Sequence, residues 1–256
     1  MGKIFRILVI LGDLERYRAS ALSLRNAVVD YSKAEAYYCR ANFLNRYESD
    51  INPHLLLGTI ANAKKHYLVA IYHMVEDGAS PFHIDKVIRE FGCAMGIFQV
   101  IDLAGGDIGW ATRKRKAPFR HKDDRYVEIP DRVCERGWFG QKTSKGYYLY
   151  GENVDFLTPN PEIEKICEQE RKRAGITPKK FDDTEILDKY IAAMVYEGTK
   201  ILSEQIALKP SDIDVVFTNG YGFPKWRGGP MKYADMIGLD KILKNIQKYS
   251  EEDPRF

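Results

Sequence analysis

Two stretches of this chain carry the same punctuation, and that repetition limits the possible folds more than any other feature. Gly96, Asp102, Gly105 and Asp107 recur as Gly229, Asp235, Gly238 and Asp240 at identical internal spacing. Upstream of each set, Ser80-Pro81-Phe82-His83-Ile84-Asp85-Lys86-Val87 parallels Lys209-Pro210-Ser211-Asp212-Ile213-Asp214-Val215-Val216. In both, a long helix, a Pro-initiated helix, a Gly-rich turn, an Asp-containing helix and a Gly-x-Asp step follow in the same order. A repeated unit of this kind reads as two copies of one helical module, each burying its apolar face partly against the other.

The local signals agree. From Ile60, Tyr67, Leu68, Ile71, Met74 and Val75 fall at helical spacing and stop at Gly78. Ser80 offers an N-cap and Pro81 an N1 residue for a helix through Ile84, Val87 and Ile88 that ends at Gly92. Phe98 to Leu103 reads as another short helix, Arg113 to Lys122 as a strongly basic loop, and Tyr147 to Tyr150 as a short strand. Residues 151–183 behave as a connector with a helix near Ile163 to Arg173. Asp182 with Glu185 resembles a capping box, and Ile186, Leu187, Tyr190, Ile191, Met194, Ile201 and Leu202 then form a long amphipathic helix. Residues 3–11 are apolar enough for one buried strand, and residues 14–57 show no sustained period.

Composition narrows the function classes. With 39 basic against 36 acidic residues in 256, nucleic acid and anionic membranes are not default partners. No apolar run is long enough to span a bilayer, so no membrane association is expected. Cys39, Cys93, Cys134 and Cys167 are widely spaced without a C-x-x-C, which reads as four reduced structural thiols. The five histidines show no ligand spacing, so no metal is expected. Gly105-Gly106-Asp107-Ile108-Gly109 looks like a dinucleotide loop but follows a helix, and Gly137 to Thr143 lacks P-loop spacing. Arg113 to Lys122 leaves phosphate or nucleic-acid binding open beside a solvated loop.

Three segments together resemble the C-terminal helical domains of 3-hydroxyacyl-CoA dehydrogenases, in the doubled form found in multifunctional fatty-acid β-oxidation enzymes. They are Glu90-Phe91-Gly92-Cys93-Ala94-Met95-Gly96-Ile97-Phe98 through Trp110, then Gly140-Gln141-Lys142-Thr143-Ser144-Lys145-Gly146-Tyr147-Tyr148-Leu149-Tyr150, then Asp212-Ile213-Asp214 with Asn219 to Pro224 and Gly228 to Met231. The resemblance covers roughly residues 58–256. It implies a mainly α fold of two such domains, 58–150 and 184–256, joined by 151–183 and packed as a pseudo-dimer. The implied family chemistry is hydride transfer from C3 of a 3-hydroxyacyl-CoA thioester to NAD, with a His base oriented by a Glu in an N-terminal Rossmann domain.

Gly58-Thr59-Ile60-Ala61-Asn62-Ala63 is similar to the family motif that supplies a catalytic Asn, which carries that role to Asn62. An Asn amide both donates and accepts, so it can hold a base or a substrate oxygen in line. Thr59, Ala63 and Ile97 depart from the family pattern. Residues 1–57 contain no βαβ unit, no dinucleotide fingerprint and no His/Glu pair, so they read as an atypical segment without a Rossmann domain. The expectation is a chain catalytically incompetent alone, with NAD bound by a separate Rossmann domain or subunit. A non-enzymatic helical interaction module is the alternative. The wording of Ile108 to Arg115 favours a bacterial cytoplasmic setting over a peroxisomal one, and Asp253-Pro254-Arg255-Phe256 is not a peroxisomal tripeptide.

Overall fold

A computed structural model describes residues 67–121, 125–204, 206, 207 and 209–252. Asn62, Cys39 and the readings made for residues 1–57 lie outside the described residues. The rest is mainly helical, and among the described residues the only β pairing is isolated bridges.

Helix α1 is described over 67–77. It is followed by α2 (Pro81–Phe91), α3 (Ile97–Ala104), α4 (Gly106–Lys116) and α5 (Ile129–Glu135). Then come α6 (Pro161–Ala174), α7 (Asp183–Ser203), α8 (Pro210–Gly220), α9 (Pro230–Ile237) and α10 (Leu239–Glu252). Four of these helices, α2, α6, α8 and α9, open with Pro at the first position, where the missing N–H has no intrahelical partner to lose.

The caps differ in detail from the sequence reading. Asp182 accepts the Glu185 N–H at 2.8 Å, as a capping residue should. Ser80 does not cap α2: its side chain makes no cap bond, and Oγ instead donates to Glu164 Oε1 of α6 at 2.5 Å. A tertiary acceptor for the Ser80 hydroxyl has replaced the local N–H donor that a cap would engage. Residues 151–183 include α6, which buries Ile163, Ile166 and Cys167 in the common core and packs on α5.

Two further expectations are corrected. The basic stretch is not a loop: Arg113 to Lys116 belong to α4, and a 3-10 turn follows at Ala117–Phe119. No residue of α4 is buried, so the helix carries no apolar stripe by which a sequence could announce it. Tyr147 to Tyr150 is not a strand of a ladder, since only the bridges Lys145↔Leu149 and Tyr148↔Pro159 form there. Its N–H groups go elsewhere, as described below.

The core runs through α1, α2 and α7, with Ile71, Met74, Ile84, Ile88, Ile186 and Met194 fully enclosed. Helix α7 is the central support: α2 of the first half and α9 and α10 of the second all pack on it. Between the halves the Phe91 ring meets Phe223 at 5.5 Å and Tyr233 at 5.1 Å, both edge-on. Arg227 Nε donates to the Phe91 carbonyl at 2.9 Å with its guanidinium over the Phe91 ring. Tyr67 and Tyr190 add a third edge-on contact at 5.8 Å.

Candidate functional site

The recurrent Asp and Gly positions turn out to be one device, built twice. In the first half Asp85 of α2 accepts the N–H groups of Phe98 (2.9 Å) and Gln99 (3.1 Å) at the start of α3. In the second, Asp214 of α8 accepts those of Met231 (2.7 Å) and Lys232 (3.1 Å) at the start of α9. Each carboxylate thus satisfies two of the N–H groups that a helix N-terminus leaves without intrahelical partners, and sits where the helix dipole favours negative charge. The preceding glycine lets it approach: a Cβ on Gly96 would lie 2.2 Å from Asp85 Cγ, and one on Gly229 2.4 Å from Asp214 Cβ. The exit corners match as well, with Gly105 at φ 91, ψ 115 and Gly238 at φ 98, ψ 123.

A second carboxylate completes the first copy. Asp102, one turn before the exit corner, accepts the N–H groups of Tyr147 (3.0 Å) and Tyr148 (2.9 Å) and the Tyr150 hydroxyl (2.9 Å). Tyr148 also donates its hydroxyl to Asp85 Oδ2 at 3.0 Å, so the segment after Gly140 ties the two carboxylates together. The glycines of that segment are needed for contact: a Cβ on Gly140 would lie 2.1 Å from the Asp102 carbonyl oxygen, and one on Gly146 2.2 Å from Asp102 Oδ1. Burial pushes the Asp85 carboxyl up to about 6, opposed by the Phe98 N–H, the Tyr148 hydroxyl and the Gln99 N–H. Burial also raises the Asp102 and Asp214 carboxyls. Asp85 and Asp102 have their acceptor positions filled by the protein itself, which makes them clamps rather than proton-transfer groups open to a substrate.

The other chemistry-bearing residues fall into place around these clamps. Arg113 turns inward, Nε donating to Asp131 Oδ1 at 2.6 Å, while Lys114, Arg115 and Lys116 stay exposed. Lys114 lies over the Trp110 ring at 3.5 Å, and Arg120 over Tyr126 at 3.2 Å. Cys93, Cys134 and Cys167 are free and buried, and burial pushes the Cys93 thiol up to about 11. Among the described residues no cluster could hold a metal. The glycine-rich turn Gly105 to Gly109 does not fit a dinucleotide. Gly105 alone joins α3 to α4, Gly106 to Gly109 being the start of α4, and Asp107 Oδ1 and Lys142 Nζ each come to 2.8 Å from where a Cβ on Gly105 would stand. Sequence reasoning marked Asp102 and Asp235 as punctuation without seeing what they do. It did not single out Asp85 and Asp214, although both stand five residues into the paralleled Pro-initiated segments, counting the Pro as the first.

Comparison with known proteins bears on the same residues. The family model for "3-hydroxyacyl-CoA dehydrogenase, C-terminal domain" matches residues 63–150 and 186–255. The peroxisomal bifunctional enzyme of Danio rerio is 42% identical over 200 residues, a span of 73% of this chain and 28% of that protein. The human peroxisomal bifunctional enzyme is 40% identical over the same length. The glyoxysomal fatty acid beta-oxidation multifunctional protein of Cucumis sativus is 32% identical over 191 residues, 26% of its length. The chain therefore spans little more than a quarter of the curated relatives it matches. Among solved structures, the dehydrogenase part of a multifunctional enzyme from C. elegans superposes with a TM-score of 0.57 at 27% identity, covering 79% of this chain and 44% of that one. The 3-hydroxybutyryl-CoA dehydrogenase of Escherichia coli shares the fold, with a TM-score of 0.55 at 16% identity over 88% of this chain and 62% of that one. This chain belongs to the 3-hydroxyacyl-CoA dehydrogenase family, and what it carries is that family's C-terminal helical domain.

Proposed function

We propose that the chain is the helical, C-terminal part of an NAD-dependent 3-hydroxyacyl-CoA dehydrogenase, supplying Asn62 and a docking surface to a Rossmann domain that binds NAD. The observation that carries this is the double family match at 63–150 and 186–255, which coincides with the two carboxylate clamps. In this reading the substrate is an acyl-CoA thioester and the product the 3-oxoacyl-CoA. In this proposal the cofactor's binding groups and the His/Glu proton-transfer pair belong to the Rossmann domain. Asn62 contributes an amide that donates and accepts next to the reacting oxygen.

The two halves, 58–150 and 184–256, act in this proposal as a pseudo-dimer, one scaffolding the other. The contacts of Phe91 with Phe223, Tyr233 and Arg227 support it. The relatives are named peroxisomal or glyoxysomal, which supports the peroxisomal setting over the cytoplasmic one. No helix among the described residues is long and apolar enough to cross a membrane.

The test is NADH formation from a short 3-hydroxyacyl-CoA, with the purified chain alone and then with a separately expressed Rossmann domain of the family. The expected result is no turnover alone and turnover in the mixture, abolished by Asn62→Ala. Turnover by the chain alone would contradict the division of labour, and a mixture that stays inactive would contradict the function.

A further inference from the structure

Helix α4 buries none of its residues, yet Arg113 turns from it toward the core. Its Nε donates to Asp131 Oδ1, and Asp131 also takes the Tyr126 hydroxyl, so one carboxylate supplies the countercharge. Nη2 of the same guanidinium is sealed from solvent and has no hydrogen-bond partner among the described residues. The Tyr147 hydroxyl shares that condition: the residue is 2% exposed, and its oxygen is sealed and unpartnered among the described residues. Tyr147 is fixed in place, because Asp102 holds its N–H at 3.0 Å and its ring lies 4.6 Å from that of Phe98.

These two groups border one space. Arg113 and Tyr147 line a common cavity of about 10 Å³ where α1, α3, α4 and α5 meet. Ile101, Pro130, Val133 and Trp138 make its apolar wall, and Asp102 lies along it. Tyr72 and Cys134 line it too; desolvation raises both their hydroxyl and thiol, and the Arg113 charge opposes the rise in each, as expected of groups gathered around one spot.

Volume and chemistry together select the occupant. A space of this size holds a single water-sized molecule. A buried donor left unpaired is costly, so the site calls for something that accepts from Nη2. A monatomic anion would accept, but Asp131 already neutralises the guanidinium and the Asp102 carboxylate borders the space, so further negative charge is disfavoured. A cation would meet the Arg113 charge. Water accepts from the guanidinium and donates to the tyrosine oxygen with one atom.

We propose that this cavity is the binding site of one buried water molecule, which accepts from Arg113 Nη2 and bridges to the Tyr147 hydroxyl. The bridge ties α4 to the Tyr147–Tyr150 segment and, through it, to the Asp102 clamp. It gives an otherwise exposed helix an internal anchor beside the Arg113–Asp131 pair.

Crystals of the full chain, grown once in sodium chloride and once in sodium bromide, test the site directly. The expected density is one ordered oxygen within about 2.6–3.2 Å of both Arg113 Nη2 and Tyr147 Oη, with no anomalous signal from bromide. A bromide peak, a side chain filling the space or a dry cavity would each overturn the proposal. Tyr147→Phe is the test in solution, because removing the hydroxyl acts in opposite directions in a wet and a dry site. In the wet site the change takes a partner from the water, and the melting midpoint should fall by about 2–4 °C. A hydroxyl buried dry is relieved by its removal, so an unchanged or higher midpoint would sink the water site.

Discussion

The two halves of this molecule are built on the same clamp and finished differently. In the first, α2 ends in Phe91, which reaches into the second half, and the Asp102 carboxylate is sealed under the Tyr147–Tyr150 segment. In the second, the equivalent helix end is Gly220, exposed with open space around it, and Asp235 faces solvent. The helices that follow the clamps diverge too: α4 buries nothing, whereas α10 buries Ile242 and Tyr249 and lies along α7. What was kept between copies is the pairing of a carboxylate with a helix N-terminus; what changed is the means of covering it. A fixed polar joint can therefore be shared by units whose surfaces serve different neighbours.

The comparison can be broken at several points, beginning with the contact between halves. Phe91→Ala should cost about 4 kcal/mol in urea denaturation, because a buried aromatic and its inter-half packing go together. Gly220→Ala, at the matching position, should change stability by less than about 0.5 kcal/mol. Equal effects would remove the asymmetry. Asp102→Ala should cost about 3 kcal/mol, since it strands the buried N–H groups of Tyr147 and Tyr148, whereas Asp235→Ala should stay within about 0.5 kcal/mol.

The pH dependence sharpens the same contrast. Burial lifts the Asp85 carboxyl to about 6 in the folded chain, above the usual carboxylate range, so the native state binds the proton more readily than the unfolded one. Stability from this group is therefore complete below about pH 4 and lost as the pH rises through about 6, on the order of 3 kcal/mol in all. The difference in urea midpoint between the native chain and Asp85→Asn, followed from pH 4 to 7, should change over that interval; parallel curves would refute the assignment. Gly96→Ala and Gly229→Ala should each lose about 2 kcal/mol by forcing the clamp apart, Gly229→Ala the more because its φ of 108 adds backbone strain. A thermal-melt series on the two variants orders them.

Much of the framework was legible because its signals are local. Pro81, Pro210 and Gly92 mark helix ends through a missing N–H and a left-handed φ, properties of single residues that no neighbour alters. The apolar spacing of α7 needed only a core to face, and Asp182 needed only Glu185 three residues on. Where a side chain or N–H had a better partner far away, the local reading failed. Ser80 left its own helix for Glu164, 84 residues away, and the Tyr147 and Tyr148 N–H groups left a strand ladder for Asp102. Helix α4 was read as a loop because a helix that buries nothing has no periodicity to detect.

The sequence by itself thus determined the Pro- and Gly-bounded helices, the long amphipathic helix α7 and the repeated punctuation, because propensity, capping and hydrophobic period act over a few residues. Only the tertiary structure decided what the repeated aspartates are for. Asp85 and Asp102 gain their meaning from donors up to 63 residues distant, and a carboxylate in a sequence carries no mark of whether its partners are water or buried N–H groups. Burial settles that choice: the same Asp, at the same step of the same repeat, becomes a sealed joint in one copy and an open one in the other.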